Sequence, residues 1–489
     1  MDDPYATATE LAARVHRGDV SPVELVDAVL ERIDRRDDEV NAYSTVAEEA
    51  ARERAREVER TVERGEQVGQ LAGVPVALKD LGGLKHGVRQ TFGSTIFADN
   101  VADRDATFVE RLEDAGAVVV GVTNTPEFGH KGTTDNPLFG PTRNPFDLDR
   151  NAGGSSCGSA AALADGLATL AHGGDAGGSL RIPAAWSGVY AIKPTYRRVA
   201  AAEQPNAFGG FHGHYVHHGP MARTVEDAAL MLDVMAGPHP RDPTSLPDDG
   251  TDYRGATEES IDGFDVAYTP DFDTFPVEER VRRVVEDAVE AFEEAGANVH
   301  QVDANLGGLG RSHRELTEVW RSSVAASFAA MDESFESEHG TDLLSAHRED
   351  LTPEVVELIE EGRDLGAGEY LNLQAVQTEV FDAVEDAFEE YDLLVSPTLA
   401  CLPVENADEG STLGPSEVAG EPVDPLIGWC LTHPFNFTGH PAASIPAGFA
   451  DGLPVGMQII GPRFAEEAVL AASAAFERVR PWDDAYPPR

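Results

Sequence analysis

Two patterns of apolar residues occur along the chain: apolar positions at helical spacing, and short uninterrupted apolar runs. Residues 21–34 (SPVELVDAVLERID) place apolar side chains at helical spacing, and Ser21 stands at the position of a helix N-cap. Residues 117–122 (AVVVGV) form an uninterrupted apolar run rich in β-branched residues, which is typical of a strand covered on both faces of a sheet. The pattern therefore predicts both helices and deeply buried strands.

Strand and helix patterns continue to alternate over the rest of the chain. Further strands are predicted at 74–78, 264–268, 298–303, 391–398, 441–448 and 454–461. Further helices are predicted at 48–65, 107–116, 277–296 and 465–479. This alternation indicates the α/β class, with a large mixed β-sheet covered by helices on both faces.

The chain has 489 residues and neither an internal repeat nor a low-complexity linker, so we expect a single domain over 1–489. Residues at about 303–390 are mainly helical in pattern, and we expect this helical subregion to cover one end of the sheet. The predicted parts of the domain are N-terminal helices at about 5–65, a core at about 70–235, the helical subregion at about 303–390, and C-terminal strands with a helix at about 391–480.

Acidic residues outnumber basic ones by 87 to 37, which gives a formal net charge of −50. A surface with this charge repels nucleic acids and anionic membranes, so we expect neither as a partner. Only four of the 37 basic residues are lysines. Strong acidity with arginine in place of lysine is typical of a halophile's protein, because molar salt shortens the Debye length to about 3 Å and screens the repulsion.

The three cysteines, Cys157, Cys401 and Cys430, show neither paired spacing nor a metal-binding motif. A low, odd number of this kind is typical of a reducing compartment. The first residues (MDDPYATATE) have neither the basic segment nor the apolar core of a signal peptide. No apolar run reaches the roughly 18–20 residues that a membrane helix needs. We therefore expect a cytoplasmic protein.

Two Gly-Gly-Ser elements flank a segment of small residues. Residues 153–155 and 177–179 both read GGS, so Ser155 and Ser179 each follow a glycine pair. Glycine pairs let the backbone adopt positive φ values and expose successive N–H groups. An oxyanion hole beside a nucleophile requires such donors, so the pattern favours a catalytic site that uses serine.

Other interpretations of these residues stay open at this point. Glycine-rich loops before helices often bind phosphate, but Ser159 stands where a P-loop has its lysine. An isolated GGS would be an ordinary turn. Lys79 ends an apolar run, and it is a base in the catalytic interpretation but a salt-bridge partner of Asp80 in the structural one.

The glycine-rich stretch resembles the amidase signature family. Residues 153–160, 173–184 and 188–195 read GGSSCGSA, GGDAGGSLRIPA and GVYAIKPT, against a family pattern of approximately GGSSGGSA, GTDTGGSIRxPA and GxxGxKPT. The resemblance extends to NPLFGPTRNPFD at 136–147 and to segment 434–462. It covers almost the whole chain, and it implies the α/β fold of that family.

The resemblance also implies an activity, the hydrolysis of a carboxylic amide to an acid and an amine or ammonia. In the family pattern Ser179 matches the nucleophile that forms an acyl-enzyme. Ser155 matches a bridging serine held by a cis peptide, and Lys79 matches the base. Neither a cofactor nor a metal ion is implied.

Further positions match the parts of the family site that surround these three residues. Ser156, Asp175 and Arg181 match supporting positions. The backbone N–H groups that match the oxyanion hole are those of Ala176, Gly177, Gly178 and Ser179.

The role that the resemblance gives to Lys79 agrees with the apolar run before it. An amine carried into an apolar pocket loses the solvation of its charged form, so its pKa falls. Neutral Lys79 could accept a proton from Ser155, which in turn could take one from Ser179. Arginine could not replace it, because a guanidinium does not deprotonate at working pH.

Two positions depart from the family pattern. Cys157 stands where the family usually has glycine, and Gly174 where it usually has threonine. A thiol is intrinsically the better nucleophile, so a hydrolase that uses Cys157 is an alternative. Against it, no base is patterned beside Cys157, and Ser179 already fills the nucleophile's position.

The substrate-binding residues are harder to predict. Segment 123–137 matches a part that lines the acyl side of the pocket in relatives, so Gly129, His130 and Lys131 are predicted to contact substrate, with a surface loop as the alternative. The histidines of 211–219 (FHGHYVHHG) could bind a metal, but no cysteine or paired acid accompanies them. A loop near the pocket mouth is the favoured interpretation.

The expected partner is a small-molecule amide, and a homodimer is the default oligomeric state. One alternative function is the glutaminase subunit of a tRNA-dependent amidotransferase, which would act with a tRNA-binding partner protein. Another is a non-catalytic binding protein on the same fold. Lys193 matches a family lysine whose role is structural.

Overall fold

The computed structural model describes residues 3–202, 216–302, 310–408 and 410–487. Its strands are β1 (Tyr43–Val46), β2 (Pro75–Lys79), β3 (Val118–Thr123), β4 (Arg143–Asn144), β5 (Asp147–Asn151), β6 (Leu170–Asp175), β7 (Tyr190–Lys193), β8 (His217–Ala222), β9 (Asp265–Tyr268), β10 (Asn298–Gln301), β11 (Leu393–Pro397), β12 (Glu417–Val418), β13 (Glu421–Pro422), β14 (Ala442–Ala450) and β15 (Leu453–Ile460).

Helices separate most of these strands along the chain. They are α1 (Ala8–His16), α2 (Pro22–Val40), α3 (Glu48–Glu63), α4 (Thr107–Asp114), α5 (Cys157–Ala164), α6 (Arg181–Ser187), α7 (Val225–Met235), α8 (Tyr253–Ala256), α9 (Glu279–Glu294), α10 (His313–His339), α11 (Leu343–His347), α12 (Pro353–Asp364), α13 (Ala367–Phe388), α14 (Pro434–Thr438) and α15 (Glu466–Val479).

Eleven strands form one sheet, in the order β1-β3-β2-β6-β8-β7-β14-β15-β11-β9-β10. β2 pairs in parallel with β3 and β6, and β9 pairs in parallel with β10 and β11. The strands between these two groups pair antiparallel, from β6 through β8, β7, β14 and β15 to β11. The α/β class and the large mixed sheet predicted from the sequence are confirmed.

Helices cover both faces of this sheet, as β6 shows. Successive residues of a strand point to opposite faces, so His172 and Gly173 face different layers. The His172 ring packs on Phe108 of α4, with the ring centroids 4.2 Å apart. On the other face, a Cβ added at Gly173 would lie 2.8 Å from Oγ of Ser156, the residue just before α5.

The sheet also brings two predicted site residues to one edge. β2 ends at Lys79 and β6 ends at Asp175. Because the two strands are parallel neighbours, their carboxyl ends meet at the same edge, where α/β sheets usually bind ligands. The chain segments that carry the two GGS elements lead into α5 and α6 at this edge.

Helices α10 to α13 occupy the described part of the predicted helical subregion, of which residues 303–309 lie outside the described chain. α10 packs along α12, and α13 contacts α10 and α14. None of the described helices is both long enough and apolar enough to cross a membrane.

Candidate active site

The amine of Lys79 and the hydroxyl of Ser155 are in direct contact. Lys79 Nζ donates to Ser155 Oγ at 2.6 Å and to the carbonyl oxygen of Gly174 at 3.3 Å. Lys79 and Ser155 are each only 2% exposed. The peptide bond between Gly154 and Ser155 is cis. The structure thus joins two of the three residues of the predicted triad by a hydrogen bond.

Burial controls the protonation of Lys79. Desolvation of the ammonium lowers the pKa of Lys79 from 10.5 to about 7. Asp80 does not pair with it, because the Asp80 carboxylate accepts hydrogen bonds from the N–H and the hydroxyl of Thr91 at 2.8 and 2.6 Å. No other carboxylate of the described chain pairs with Lys79 either. The amine is therefore able to act as a base near neutral pH.

Ser179 lies on the wall of the same cavity. This cavity has a volume of about 670 Å³, and Lys79, Ser155 and Ser179 all line it. The carbonyl oxygen of Ser179 accepts a hydrogen bond from the N–H of Ser156 at 3.1 Å, which ties the two GGS loops together. Within the described chain the Ser179 hydroxyl has no hydrogen-bond partner. The contact between the Ser155 and Ser179 hydroxyls would have to tighten when substrate binds.

The predicted oxyanion-hole donors differ in their availability. The N–H of Gly178 donates to Asp175 Oδ1 at 2.7 Å and is already engaged. The N–H groups of Ala176, Gly177 and Ser179 have no acceptor among the described residues. Gly178 has a φ of +135°, and a Cβ there would lie 2.1 Å from Thr432 Oγ1, so only glycine fits. Three of the four predicted donors are free to bind a ligand.

Asp175 and Arg181 form a buried ion pair beneath this loop. Arg181 Nε and Nη2 donate to the two Asp175 oxygens, both at 3.0 Å, and neither side chain is exposed. Asp175 also accepts from the N–H of Leu180 and from Asn436 Nδ2. Burial alone would raise the pKa of Asp175, but the Arg181 guanidinium holds it well below its usual range. The pair braces the turn that presents Ser179.

Ser156 and Gly174 link the two loops from below. Ser156 Oγ donates to the Gly174 carbonyl and accepts from the Gly174 N–H, both at 3.2 Å. A Cβ added at Gly174 would lie 3.9 Å from His218 Nδ1 and 4.0 Å from Lys79 Nζ. The departure from threonine at this position therefore removes a side chain that would contact Lys79 and His218.

Cys157 is buried at the start of α5 and is not among the described residues that line the cavity. Its Sγ donates to the carbonyl oxygen of Asn124 at 3.2 Å. Burial raises the pKa of the thiol to about 11, so it stays protonated at neutral pH. These features oppose the alternative in which Cys157 is the nucleophile.

Of the three predicted substrate contacts, Gly129 lines the cavity and the other two do not. Gly129 lines the cavity, and a Cβ there would lie 3.2 Å from Ser155 Oγ. His130 and Lys131 do not belong to the described lining, and both are buried rather than exposed on a surface loop. His130 Nδ1 lies 2.7 Å from the Glu127 carbonyl oxygen, and Lys131 pairs with Asp135 at 2.6 Å. Internal partners hold both side chains away from the cavity.

The described histidines of the 211–219 run lie in a strand rather than a loop. His217 and His218 belong to β8, while His212 and His214 lie outside the described residues. His218 lines the cavity, and its Nδ1 is 3.1 Å from His172 Nε2. Burial lowers the pKa of His218 to about 3 and that of His172 well below its usual value, so both rings are neutral. No group of three potential metal ligands occurs in the described ranges.

The sequence patterns gave no indication of the apolar wall opposite the polar groups. It is formed by side chains from two loops and from the segment before β8. These are Leu81, Leu84, Phe92, Val101, Ala102 and Val216. Most of them lie in segment 81–102, which has no regular apolar period, so only their position in the fold reveals the wall.

Lys193 ends β7 and is also buried. It donates to the carbonyl oxygens of His440 and Pro194, and burial lowers its pKa well below the usual value. It does not belong to the described lining of the cavity. These contacts are those of a residue that ties β7 to the segment before β14.

Comparisons with known proteins agree on one family. A family model described as Amidase matches residues 24–470. An acylamidase from Rhodococcus erythropolis is 37% identical over 487 residues, which cover 99% of this chain and 97% of that protein. A glutamyl-tRNA(Gln) amidotransferase subunit from Moorella thermoacetica is 37% identical over 492 residues, with 98% and 97% covered. A solved bacterial aryl acylamidase, an amidase signature enzyme, matches with a TM-score of 0.94 at 42% identity, with 99% of this chain and 98% of that chain covered.

Proposed function

Because the chain belongs to the amidase signature family, we propose that it hydrolyses carboxylic amides through an acyl-enzyme on Ser179. Membership confirms the enzyme class predicted from the sequence, a hydrolase of amide bonds. The observation that carries the proposal is the buried hydrogen bond between Lys79 and Ser155, in a cavity that Ser179 also lines.

The proposed reaction begins with two proton transfers. Neutral Lys79 accepts the proton of the Ser155 hydroxyl, while Ser155 takes the proton of Ser179. Ser179 Oγ attacks the amide carbonyl, and the oxygen of the tetrahedral intermediate gains negative charge. The N–H groups of Ala176, Gly177 and Ser179 are the proposed donors to that oxygen.

The relay then runs in reverse. The proton returns through Ser155 to the amide nitrogen, the carbon–nitrogen bond breaks, and the amine leaves. Water attacks the acyl-enzyme with the same base assistance, which releases the acid and restores the Ser179 hydroxyl. Every group in this sequence comes from the chain or from water, and the proposal includes no metal or cofactor.

The apolar wall of the cavity supports an apolar or aromatic substrate. Leu81, Leu84 and Phe92 line the cavity that Ser155 and Ser179 also line, and burial of an aryl ring against them would contribute to binding. The solved neighbour at 42% identity is an aryl acylamidase. We therefore propose anilides and related N-aryl amides as the substrate class.

A glutaminase role is the second candidate, because a glutamyl-tRNA(Gln) amidotransferase subunit is 37% identical to this chain. Such an activity would require glutamine hydrolysis that depends on a partner protein. The lining does not decide between the candidates, because Asn100, Asp103, Arg104 and Glu338 also line the cavity and offer polar partners for the ammonium and carboxylate of glutamine. The buried Lys79–Ser155 pair argues against a non-catalytic binding protein, because binding alone does not require a desolvated amine beside a hydroxyl.

The test is a panel of amides assayed in molar KCl. Acetanilide, an aliphatic amide, an amino-acid amide and glutamine should give turnover in that order, with acetanilide the best. A fluorophosphonate probe should label Ser179, and mass spectrometry would locate the label. Labelling of another residue, or no labelling of a folded enzyme, would contradict the proposed nucleophile. Copurification of a second subunit, with glutamine turnover that depends on that subunit, would favour the second candidate.

We also propose that the enzyme works in a salt-rich, reducing cytoplasm. The net charge of −50 supports the first part, and three buried free thiols support the second. The free energy of unfolding should rise from dilute buffer to molar KCl, because salt screens repulsion between surface carboxylates. Urea titrations at several KCl concentrations would measure it, and a flat dependence would contradict the adaptation. We propose in addition that the chain forms a single domain and that it assembles as a homodimer.

A further inference from the structure

One side chain of the helical subregion reaches the catalytic loop. Trp320, on α10, donates its indole Nε1–H to the carbonyl oxygen of Ala176 at 3.0 Å, and it is only 4% exposed. We propose that Trp320 is a positioning residue, which holds the Ala176–Gly177 peptide so that the Gly177 N–H points at the substrate oxyanion. This inference rests on the proposed function.

The argument starts from the geometry of the peptide bond. In a planar trans peptide the C=O and the following N–H point in opposite directions. A group that holds the carbonyl of one residue therefore also fixes the direction of the next N–H. In the loop from Asp175 to Ser179, the direction of each N–H can thus be traced to the partner of the carbonyl before it.

Each carbonyl in this loop has a partner. The Asp175 carbonyl accepts from Asn436 Nδ2 at 3.1 Å. The Gly177 carbonyl accepts from Thr432 Oγ1 at 2.5 Å, and the Gly178 carbonyl accepts from a backbone N–H of α6 at 2.6 Å. The Ala176 carbonyl is held by Trp320. No peptide of the loop is left to rotate freely.

The partners of the carbonyls explain the availability of the N–H groups. The N–H groups of Ala176, Gly177 and Ser179 lie opposite held carbonyls and have no acceptor in the described chain. The Gly178 N–H lies opposite the Thr432-bound carbonyl and reaches Asp175 instead. Trp320 is therefore the residue that orients one of the three available donors, that of Gly177.

The contact between Trp320 and the loop is also tight. A Cβ added at Gly177 would lie 2.4 Å from Trp320 Nε1, so no side chain can come between them. The indole therefore packs directly against the Ala176–Gly177 peptide whose carbonyl it binds. Ala176 is the one residue between 151 and 195 that is partly exposed rather than buried, and it lines the cavity.

Donation to a carbonyl does not by itself distinguish Trp320. Trp186 donates to Cys401, Trp429 to Pro425 and Trp482 to Arg223, in each case to the backbone oxygen and at 2.8–3.2 Å. What differs is the acceptor, because the Trp320 bond ends on a peptide whose N–H is a predicted oxyanion-hole donor, whereas the other three indoles donate to carbonyls outside this loop. The other tryptophans therefore serve as controls for the loss of an indole N–H donor.

The test compares Trp320→Phe with Trp482→Phe, since each removes one indole N–H that donates to a backbone carbonyl. With acetanilide in molar KCl, Trp320→Phe should lower kcat about tenfold and leave KM within about twofold, because the lost stabilisation belongs to the transition state. Trp482→Phe, which removes a donor to the Arg223 carbonyl outside the loop, should leave both constants unchanged. The pH dependence of kcat should be the same in both variants, because Lys79 is untouched.

Binding of a transition-state mimic gives a second readout. Trifluoroacetophenone forms a hemiketal oxyanion on a serine, so Trp320→Phe should weaken its inhibition by about the same factor as kcat. Inhibition and kcat equal to those of the unaltered enzyme would overturn the inference. So would an equal loss of kcat in Trp482→Phe, or a loss confined to KM.

A replacement that preserves packing covers the case in which Trp320→Phe does not fold. Benzothienylalanine at position 320 exchanges the indole N–H for sulfur and keeps the size of the ring system. It should reproduce the loss of kcat, and full activity would overturn the inference. Ser179→Ala separates the two proposals: an active Ser179→Ala enzyme refutes the function, whereas an inactive one beside a fully active Trp320→Phe refutes only the role of Trp320.

Discussion

The glycine-rich core, residues 151–195, and helix α13 differ in the burial of their side chains and in the contacts that hold them. Between residues 151 and 195 every residue except Ala176 is buried, and charged side chains there have assigned partners. Along the 22 residues of α13 only Val380 and Val384 are buried, and Leu371 is 60% exposed. The core is held by side-chain contacts on all sides, whereas α13 is anchored mainly at its C-terminal half.

This contrast shows where the chemistry of the enzyme can be disturbed. In the core, removal of a polar atom can break a buried hydrogen bond at the proposed catalytic residues, such as that between Lys79 and Ser155. On α13, most side chains contact water, so a substitution changes little except charge. Substitutions in the two regions should therefore differ in effect by orders of magnitude, and the following experiments test that difference.

Ser179→Ala should produce the largest effect. Removal of the proposed nucleophile should lower kcat by at least about 10⁴-fold, while the fold is kept because alanine fits the same space. Steady-state assays and circular dichroism in molar KCl would measure both. Residual turnover within tenfold of the unaltered enzyme would show that the core does not contain the nucleophile.

Lys79→Met should follow, with a loss of about 10²–10⁴-fold in kcat, because the thioether cannot accept a proton. In the unaltered enzyme the protonated fraction of Lys79 grows as pH falls below about 7. Its kcat/KM should therefore rise with pH through about 7 and level off above it. The methionine variant should lack this rise, and an unchanged pH profile would exclude Lys79 as the base.

Arg181→Met tests the stability of the core rather than its chemistry. It leaves the Asp175 carboxylate buried without its guanidinium, which should lower the free energy of unfolding by about 3–5 kcal/mol. Arg480→Met is the matched control, since its pair with Asp287 is largely exposed and should be worth at most about 1 kcal/mol. Urea titrations in molar KCl would compare the two, and equal losses would contradict the contrast.

Leu371→Gln on α13 should have the smallest effect, a change in unfolding free energy within about 0.5 kcal/mol. Val384→Ala, one of the two buried positions on the same helix, should cost about 1–2 kcal/mol. The same titrations measure both. A large loss for Leu371→Gln would reveal that a partner covers this helix in solution.

The sequence predicted the parts of the molecule that depend on neighbours along the chain. The mixed sheet, the glycine loops and the apolar strand that carries Lys79 all arise from local patterns, and the strands and helices named from them are present. The family resemblance added the pairing of Lys79 with Ser155. These residues are 76 apart, yet parallel strands and a short loop bring them together.

What the sequence did not predict depends on contacts between distant segments. His130 and Lys131 were expected at the substrate, but Glu127 and Asp135 hold them inside the protein. Trp320 lies 144 residues from Ala176, on a helix with no motif. His218 was expected in a loop and instead lines the cavity from β8. No period or motif encodes such contacts, because they are created only when the layers pack.

The low pKa of Lys79 has a source that salt does not affect. Burial causes it, and no carboxylate of the described chain pairs with the amine. Dissolved ions screen interactions between charges but do not restore water to a buried amine. The surface can therefore respond to its ionic surroundings while the proton chemistry stays the same: the midpoint of the pH profile should remain near 7 at every KCl concentration at which the chain folds.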